Sequence, residues 1–181
     1  MRIVGGKHKG RKLFMVENET TRETADMVKE AVFNMLGTSV EGTVLDLFAG
    51  AGSYGFESLS RGATRVYFID NDKHAIATIR KNADKINETS SSLIQQKDYK
   101  RFIQSLSSEE IFDFVFLDPP YEMDIYEQVI ESLRDHVTHQ GRIICESNKK
   151  TRLPDTCACF VKTKDKTYGI KRISIYEKRA E

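Results

Sequence analysis

The chain has 181 residues, 30% of them charged and 39% hydrophobic, with a formal net charge of only +1. That length suits a single domain, 1–181, with a substantial core, and is too short for two ordinary domains. No run of about twenty apolar residues could span a bilayer, and Met1–Gly6 lacks the apolar core of a secretory leader, so a cytoplasmic protein with no membrane partner is expected.

Residues 1–20 form a basic extension, and 1–16 read as a short hairpin in which Gly5, Gly6 and Gly10 bracket the tip Lys7-His8-Lys9. Between Met1 and Lys12, Arg2, Lys7, Lys9, Arg11 and Lys12 face no acid, and the chain from Ser147 onward carries ten Lys/Arg against Asp155, Asp165, Glu177 and Glu181. Two basic ends around a neutral middle suit either a solvated face or contact with a phosphate backbone. Next, Thr20-Thr21-Arg22-Glu23-Thr24 supplies capping residues for an amphipathic helix with Met27, Val28, Ala31, Val32, Met35 and Leu36 inward and Gly37 as its stop.

A buried strand is expected over 43–48, running into Ala49-Gly50-Ala51-Gly52-Ser53-Tyr54-Gly55 and a helix to about Arg61. A second strand, Arg65–Ile69, ends on Asp70, and a helix follows with Ala75, Ile76, Ile79, Ala83 and Ile86 on one side. After the polar loop Thr89–Ser92, a weaker strand Leu93–Gln96 leads to Asp98. Phe112–Leu117 reads as a strand buried on both faces, ended by Asp118 and stopped by Pro119 and Pro120. A helix carrying Ile125, Val129, Ile130, Leu133 and Val137, a strand Arg142–Cys145, and a closing hairpin around Lys164–Tyr168 complete the chain. Strands alternating with helices in this way imply an α/β fold with a mostly parallel sheet. The histidines, His8, His74, His136 and His139, are read as surface residues, and no metal pattern is found. Cys157 and Cys159 alternate onto one strand face and, with Cys145, are read as reduced packing cysteines.

Two stretches carry chemistry. Gly50-Ala51-Gly52-Ser53-Tyr54-Gly55 matches G-x-G-x-x-G between a strand and a helix, and Asp70 ends the following strand, where it can accept from ribose hydroxyls. A nucleoside-containing cofactor follows, and NAD stays open on this evidence. Asp46, four residues before Gly50, would repel a pyrophosphate but suits S-adenosylmethionine, whose ammonium and sulfonium are cationic. Asp98 could then accept from the adenine amine. The second stretch, Asp118-Pro119-Pro120-Tyr121, holds a carboxylate and a carbonyl rigidly beyond the carboxyl edge of the sheet, beside a flat ring. That arrangement suits a planar molecule bearing an amine, such as a nucleobase.

Taken together, these residues resemble the class I S-adenosylmethionine-dependent amino-methyltransferases. More narrowly, the chain is similar to the RsmD family, which methylates a guanine N2 of 16S ribosomal RNA. The resemblance is carried by Met1–Lys7, Gly10–Leu13, Val28–Leu36, Leu45–Gly50, Ser58–Ala63 and Phe116–Tyr121. Departures from the family pattern are Glu23 in place of the usual Pro, Ala51 and Tyr54 in the glycine loop, and Asp70 where Glu is more frequent. The resemblance implies a Rossmann-like, mostly parallel sheet of seven strands with an antiparallel C-terminal hairpin, preceded by an N-terminal β-hairpin and helix. It implies a cofactor set of Asp46, Phe48, Gly50, Gly52, Asp70, Asn71 and Asp98 and a catalytic set of Asp118, Pro119, Pro120 and Tyr121. The implied partner is 16S rRNA or the small ribosomal subunit, met by a monomer. An adenine-N6 methyltransferase shares the same tetrapeptide and stays open as an alternative, as does a nicotinamide-dependent oxidoreductase.

Overall fold

The computed structural model describes residues 1–17, 23–37 and 39–180. Helix α1 spans Glu23–Leu36, and the capping run expected at Thr20–Arg22 lies outside the described residues. Strand β1 (Gly42–Asp46) is followed by α2 (Ser53–Ser60), β2 (Ala63–Asp70), α3 (Lys73–Lys85), β3 (Ser92–Gln96), α4 (Tyr99–Ser105), β4 (Phe112–Leu117) and α5 (Tyr126–Ser132). Then come β5 (Val137–Asn148), β6 (Thr156–Cys157), β7 (Phe160–Tyr168) and β8 (Lys171–Lys178).

All eight strands form one sheet in the order β3-β2-β1-β4-β5-β8-β7-β6. The first five in this order are parallel, and β8, β7 and β6 add antiparallel. The strand beyond the expected seven is β6, a two-residue edge piece. Chain order reverses direction between β1 and β4, so the crevice beyond their carboxyl ends is where such a sheet accepts a ligand.

Helices α1, α2 and α3 cover one face, packing Val32, Phe33, Phe56, Leu59, Ile76 and Ile79 against Phe68, Phe116 and Ile144. On the other face, α4 and α5 pack Phe102, Val129 and Ile130 against Leu45, Val115 and Ile143. Strands covered on both sides are largely apolar, as in β4, Phe-Asp-Phe-Val-Phe-Leu, whose one acid, Asp113, sits at its less buried start and accepts from Thr43 N–H at 2.8 Å. None of the described helices is long and apolar enough to cross a membrane.

Several elements depart from expectation. Met27 is 69% exposed, because the buried stripe of α1 runs through Val28, Val32, Phe33 and Leu36. Val137 belongs to β5, where it pairs with Phe112, since α5 stops before Leu133. Lys164–Tyr168 continue β7 in register with β8, and the chain turns at Gly169, whose φ is +59°. A ladder needs only backbone groups, so a charged run with one solvated face can stay in a strand. The helix α4 was not foreseen. Cys157 is buried and Cys159 exposed, because the strand ends at Cys157 and Ala158 takes a φ of +51°.

The N-terminal hairpin reduces to one bridge, Arg2 to Lys12, and its tip is docked rather than projecting. The Glu57 carboxylate of α2 accepts from Val4 N–H at 3.0 Å and Gly5 N–H at 2.9 Å. It also pairs with Arg61 at 2.9 Å and with buried Lys29 at 3.5 Å. Lys7 and His8 both meet Glu88, at 2.6 and 2.7 Å. His8 is therefore not the surface residue expected: its side chain is only 15% exposed.

Candidate active site

Three adjoining chambers open beyond the carboxyl ends of β1, β2 and β4. The first, about 150 Å³, is lined by Leu47, Phe48, Asp70, Asn71, Lys97, Asp98, Tyr99, Pro120 and Met123. Phe48, Asp70 and Pro120 also line the second, of about 440 Å³, with Gly50, Asp118, Pro119 and Tyr121. The third, about 290 Å³, shares Asp118 with the second and reaches inward to Asp46 and Tyr54. Ten of the eleven residues named from sequence therefore sit on one continuous trough, the exception being Gly52.

In the glycine turn, Gly50 has a φ of +56° and donates its N–H to Asp70 Oδ2 at 2.9 Å. A Cβ built on Gly50 would meet nothing within 4 Å, so its open side faces the trough. Gly52 faces the core instead. Its φ is +89°, and a Cβ there would sit 2.5 Å from Phe56 Cε2 and 3.1 Å from Phe68 Cε1, so this glycine leaves room for two core rings.

Each acid is held differently. Asp70 Oδ1 accepts from Asp72 N–H at 2.9 Å, so both of its oxygens are oriented by backbone. Asp98 is the N-cap of α4, accepting from Lys100 and Arg101 N–H at 2.9 and 3.3 Å. Asp46 is 2% exposed and accepts from Gly55 N–H at 3.0 Å. Burial pushes its carboxyl up to about 7, with the Gly55 bond opposing and the Asp70 charge adding. Phe48 and Tyr99 flank the Asp70–Asp98 chamber, their ring centroids 5.3 Å apart. Beyond β4, Pro119 is buried and Tyr121 is 45% exposed, a flat ring at the mouth of the trough.

Two residues of the site, Glu146 and Lys171, escaped the sequence reading, and a third, Tyr54, was named there only as part of the glycine loop. The Tyr54 hydroxyl donates to Glu146 Oε2 at 2.5 Å while its ring stacks on Phe116 at 4.8 Å and 11°. Glu146 is 3% exposed, and its Oε1 lies 2.5 Å from Lys171 Nζ. Burial pulls the Lys171 ammonium down, but the Glu146 and Asp118 carboxylates outweigh it and hold it above its ordinary value. A signal for Glu146 existed: it is a lone acid one residue past the apolar run Ile143-Ile144-Cys145, just as Asp118 follows Leu117. No group of His, Cys, Asp and Glu among the described residues is placed to hold a metal ion.

The donor set discriminates between ligands. Five acids, Asp46, Asp70, Asp98, Asp118 and Glu146, line the trough against Lys29, Lys97 and Lys171, an excess of acid that disfavours a pyrophosphate. Ribose hydroxyls, an ammonium, a sulfonium and aromatic amines are all drawn to such oxygens.

Comparison with known proteins agrees. A family model described as Conserved hypothetical protein 95 matches residues 1–177. The YlbH protein of Bacillus subtilis is 36% identical over 183 residues, spanning 99% of this chain and 100% of that protein. Ribosomal RNA small subunit methyltransferase D of Haemophilus influenzae is 34% identical, over 98% of this chain and 93% of its own length. The solved structure of Escherichia coli yhhF superimposes with a TM-score of 0.87 at 27% identity, covering 100% of this chain and 99% of that one. With the family match running nearly end to end and the acid-lined trough where that fold places its ligands, the chain belongs to the RsmD family, the one described as Conserved hypothetical protein 95.

Proposed function

We propose that this protein transfers a methyl group from S-adenosylmethionine to the exocyclic N2 amine of a guanine in small-subunit ribosomal RNA. The observation that carries the reading is the shared chamber in which Asp118, Pro119 and Tyr121 meet Gly50 and Asp70. Amine acceptors and nucleoside acceptors there open on one space. Methylation of ribosomal RNA follows from the family and from relatives named for that activity, and the choice of guanine N2 rests on the resemblance to the RsmD family.

When bound, S-adenosylmethionine supplies a methyl group made electrophilic by its sulfonium. Asp70, fixed through Gly50 and Asp72, accepts from the ribose hydroxyls, and Phe48 and Tyr99 offer apolar walls to the adenine beside Asp98 and Asn71. Asp46 receives the ammonium end of the donor, a cation that favours its ionised form. An aromatic amine is a poor nucleophile because its lone pair is delocalised into the ring. Asp118 and the Pro119 carbonyl accept its two N–H bonds, favour a pyramidal nitrogen and stabilise the charge that develops on it. Tyr121 stacks on the base, which must be unpaired to enter. The proton released by the amine passes by way of Asp118 to water at the open mouth.

The basic N-terminal loop suits the RNA backbone. Met1 lines the chamber with Asp118, and Lys9, Arg11 and Lys12 are exposed on the same loop. We read the active unit as a single-domain monomer in the cytoplasm. Tritiated methyl transfer to assembled small subunits, stripped 16S RNA and duplex DNA, followed by mass spectrometry of the nucleosides, tests the proposal. N2-methylguanosine in RNA is the expected product. Label in adenine or in DNA would overturn it.

A further inference from the structure

We propose that Lys171 is the specificity-determining residue for the target base, donating a hydrogen bond to guanine O6 while Glu146 and Asp118 face the N1–H and N2–H edge. The inference rests on the methyl-transfer reading above and deepens it. Strands β4 and β5 are parallel, with Phe116 opposite Ile144 and Leu117 opposite Cys145. Asp118 follows Leu117 and Glu146 follows Cys145, so the two acids leave the adjacent strands at the same level and line the same chambers. Lys171 enters from β8, whose Ile173 pairs with Glu146, and Asp118, Glu146 and Lys171 line both the second and the third chamber.

This cluster is rigid. Glu146 is held by Tyr54 Oη and Lys171 Nζ, and its backbone carbonyl accepts from Tyr126 Oη at 2.7 Å. Tyr54 is itself fixed by its stack on Phe116. An ammonium carries three N–H donors, so pairing with Glu146 leaves Lys171 able to donate to an acceptor in the chamber as well. The result is a cation beside two carboxylates on one rim. Guanine presents the complement along one edge: an acceptor at O6, then donors at N1 and N2. Adenine presents a donor at N6 and an acceptor at N1, which would set its amine against the ammonium and its N1 lone pair against a carboxylate. The arrangement thus selects guanine by attraction and rejects adenine by mismatch.

A purely structural role for Lys171, neutralising buried Glu146, would affect both kinds of base alike. The test uses a short RNA whose target guanine has been located by mass spectrometry, synthesised with guanine or with 2-aminopurine at that position. 2-Aminopurine keeps the exocyclic amine but lacks O6 and N1–H. Wild-type, Lys171→Met and Lys171→Gln proteins are compared by kcat/KM on both RNAs, after S-adenosylhomocysteine calorimetry and melting confirm that each is folded. Lys171→Met should lose about tenfold or more on guanine and little on 2-aminopurine. Lys171→Gln, which keeps a donor, should recover part of the guanine rate. Equal losses on both RNAs, or unchanged discrimination, overturn the proposal. Failure of the parent reading looks different: wild-type protein would then label no guanine in any RNA.

Discussion

Asp70 Oδ2 accepts the Gly50 N–H at 2.9 Å, tying the end of β2 to the turn that follows β1. The bond orients the acid and the glycine backbone toward one chamber, so a nucleoside docking there meets both at once. Asp70→Ala should weaken S-adenosylhomocysteine binding by about 10–100-fold, the scale of lost hydrogen bonds to a charged group. Calorimetry measures this directly, and turnover at saturating donor should fall less than affinity. Unchanged affinity would remove Asp70 from the cofactor site.

Asp46 predicts an unusual pH dependence. Its carboxyl is raised from 3.8 to about 7 in the folded chain, chiefly by burial. Between these values the folded state holds a proton that the unfolded state has released, so stability falls as pH rises across that window and levels off above it. This is the reverse of an ordinary paired carboxylate. Asp46→Asn cannot ionise and keeps an acceptor for Gly55 N–H, so its stability relative to wild type should grow from pH 4 to pH 7. The ceiling on that gain is about 4 kcal/mol. Urea unfolding at both pH values checks it. A flat difference would show that Asp46 is ionised throughout.

Tyr54→Phe keeps the stack on Phe116 but leaves buried Glu146 Oε2 without its hydroxyl donor. A loss of about 1–3 kcal/mol is expected from denaturant unfolding. A smaller loss would mean that another group satisfies Glu146.

Gly55→Ala sets two effects against each other. Alanine favours a helix by about 1 kcal/mol over glycine. An added Cβ, however, would overlap the ring of Phe68, which is fully buried. Overpacking of this kind costs about 1–3 kcal/mol or more, so the variant should be net destabilised in urea. A stabilised variant would mean that the contact between α2 and β2 can relax.

Much of this was legible in the sequence because burial on both faces leaves a plain mark. Strands β2 and β4 carry apolar runs that end on Asp70 and just before Asp118, and those ends marked the trough, whereas β1, expected to run through 43–48, stops at Asp46 and so brings that acid to the same edge. What escaped was decided by tertiary context. Gly52 has the motif's spacing, yet only packing against Phe56 and Phe68 shows that it serves the core. Lys171 and Glu146 are 25 positions apart in a stretch that looks merely basic, and the antiparallel return of β8 onto β5 is what joins them. His8 and Lys7 likewise read as a free tip until α3 and its following turn bring Glu88 beneath them.

The most direct test is Asp118→Ala, assayed in parallel for S-adenosylhomocysteine binding and for methyl transfer to 16S RNA. If the carboxylate next to Pro119 holds the amine rather than the donor, binding should stay within about threefold of wild type while transfer falls by roughly 10²–10⁴. Transfer at the wild-type rate, or loss of binding and transfer together, would contradict the account.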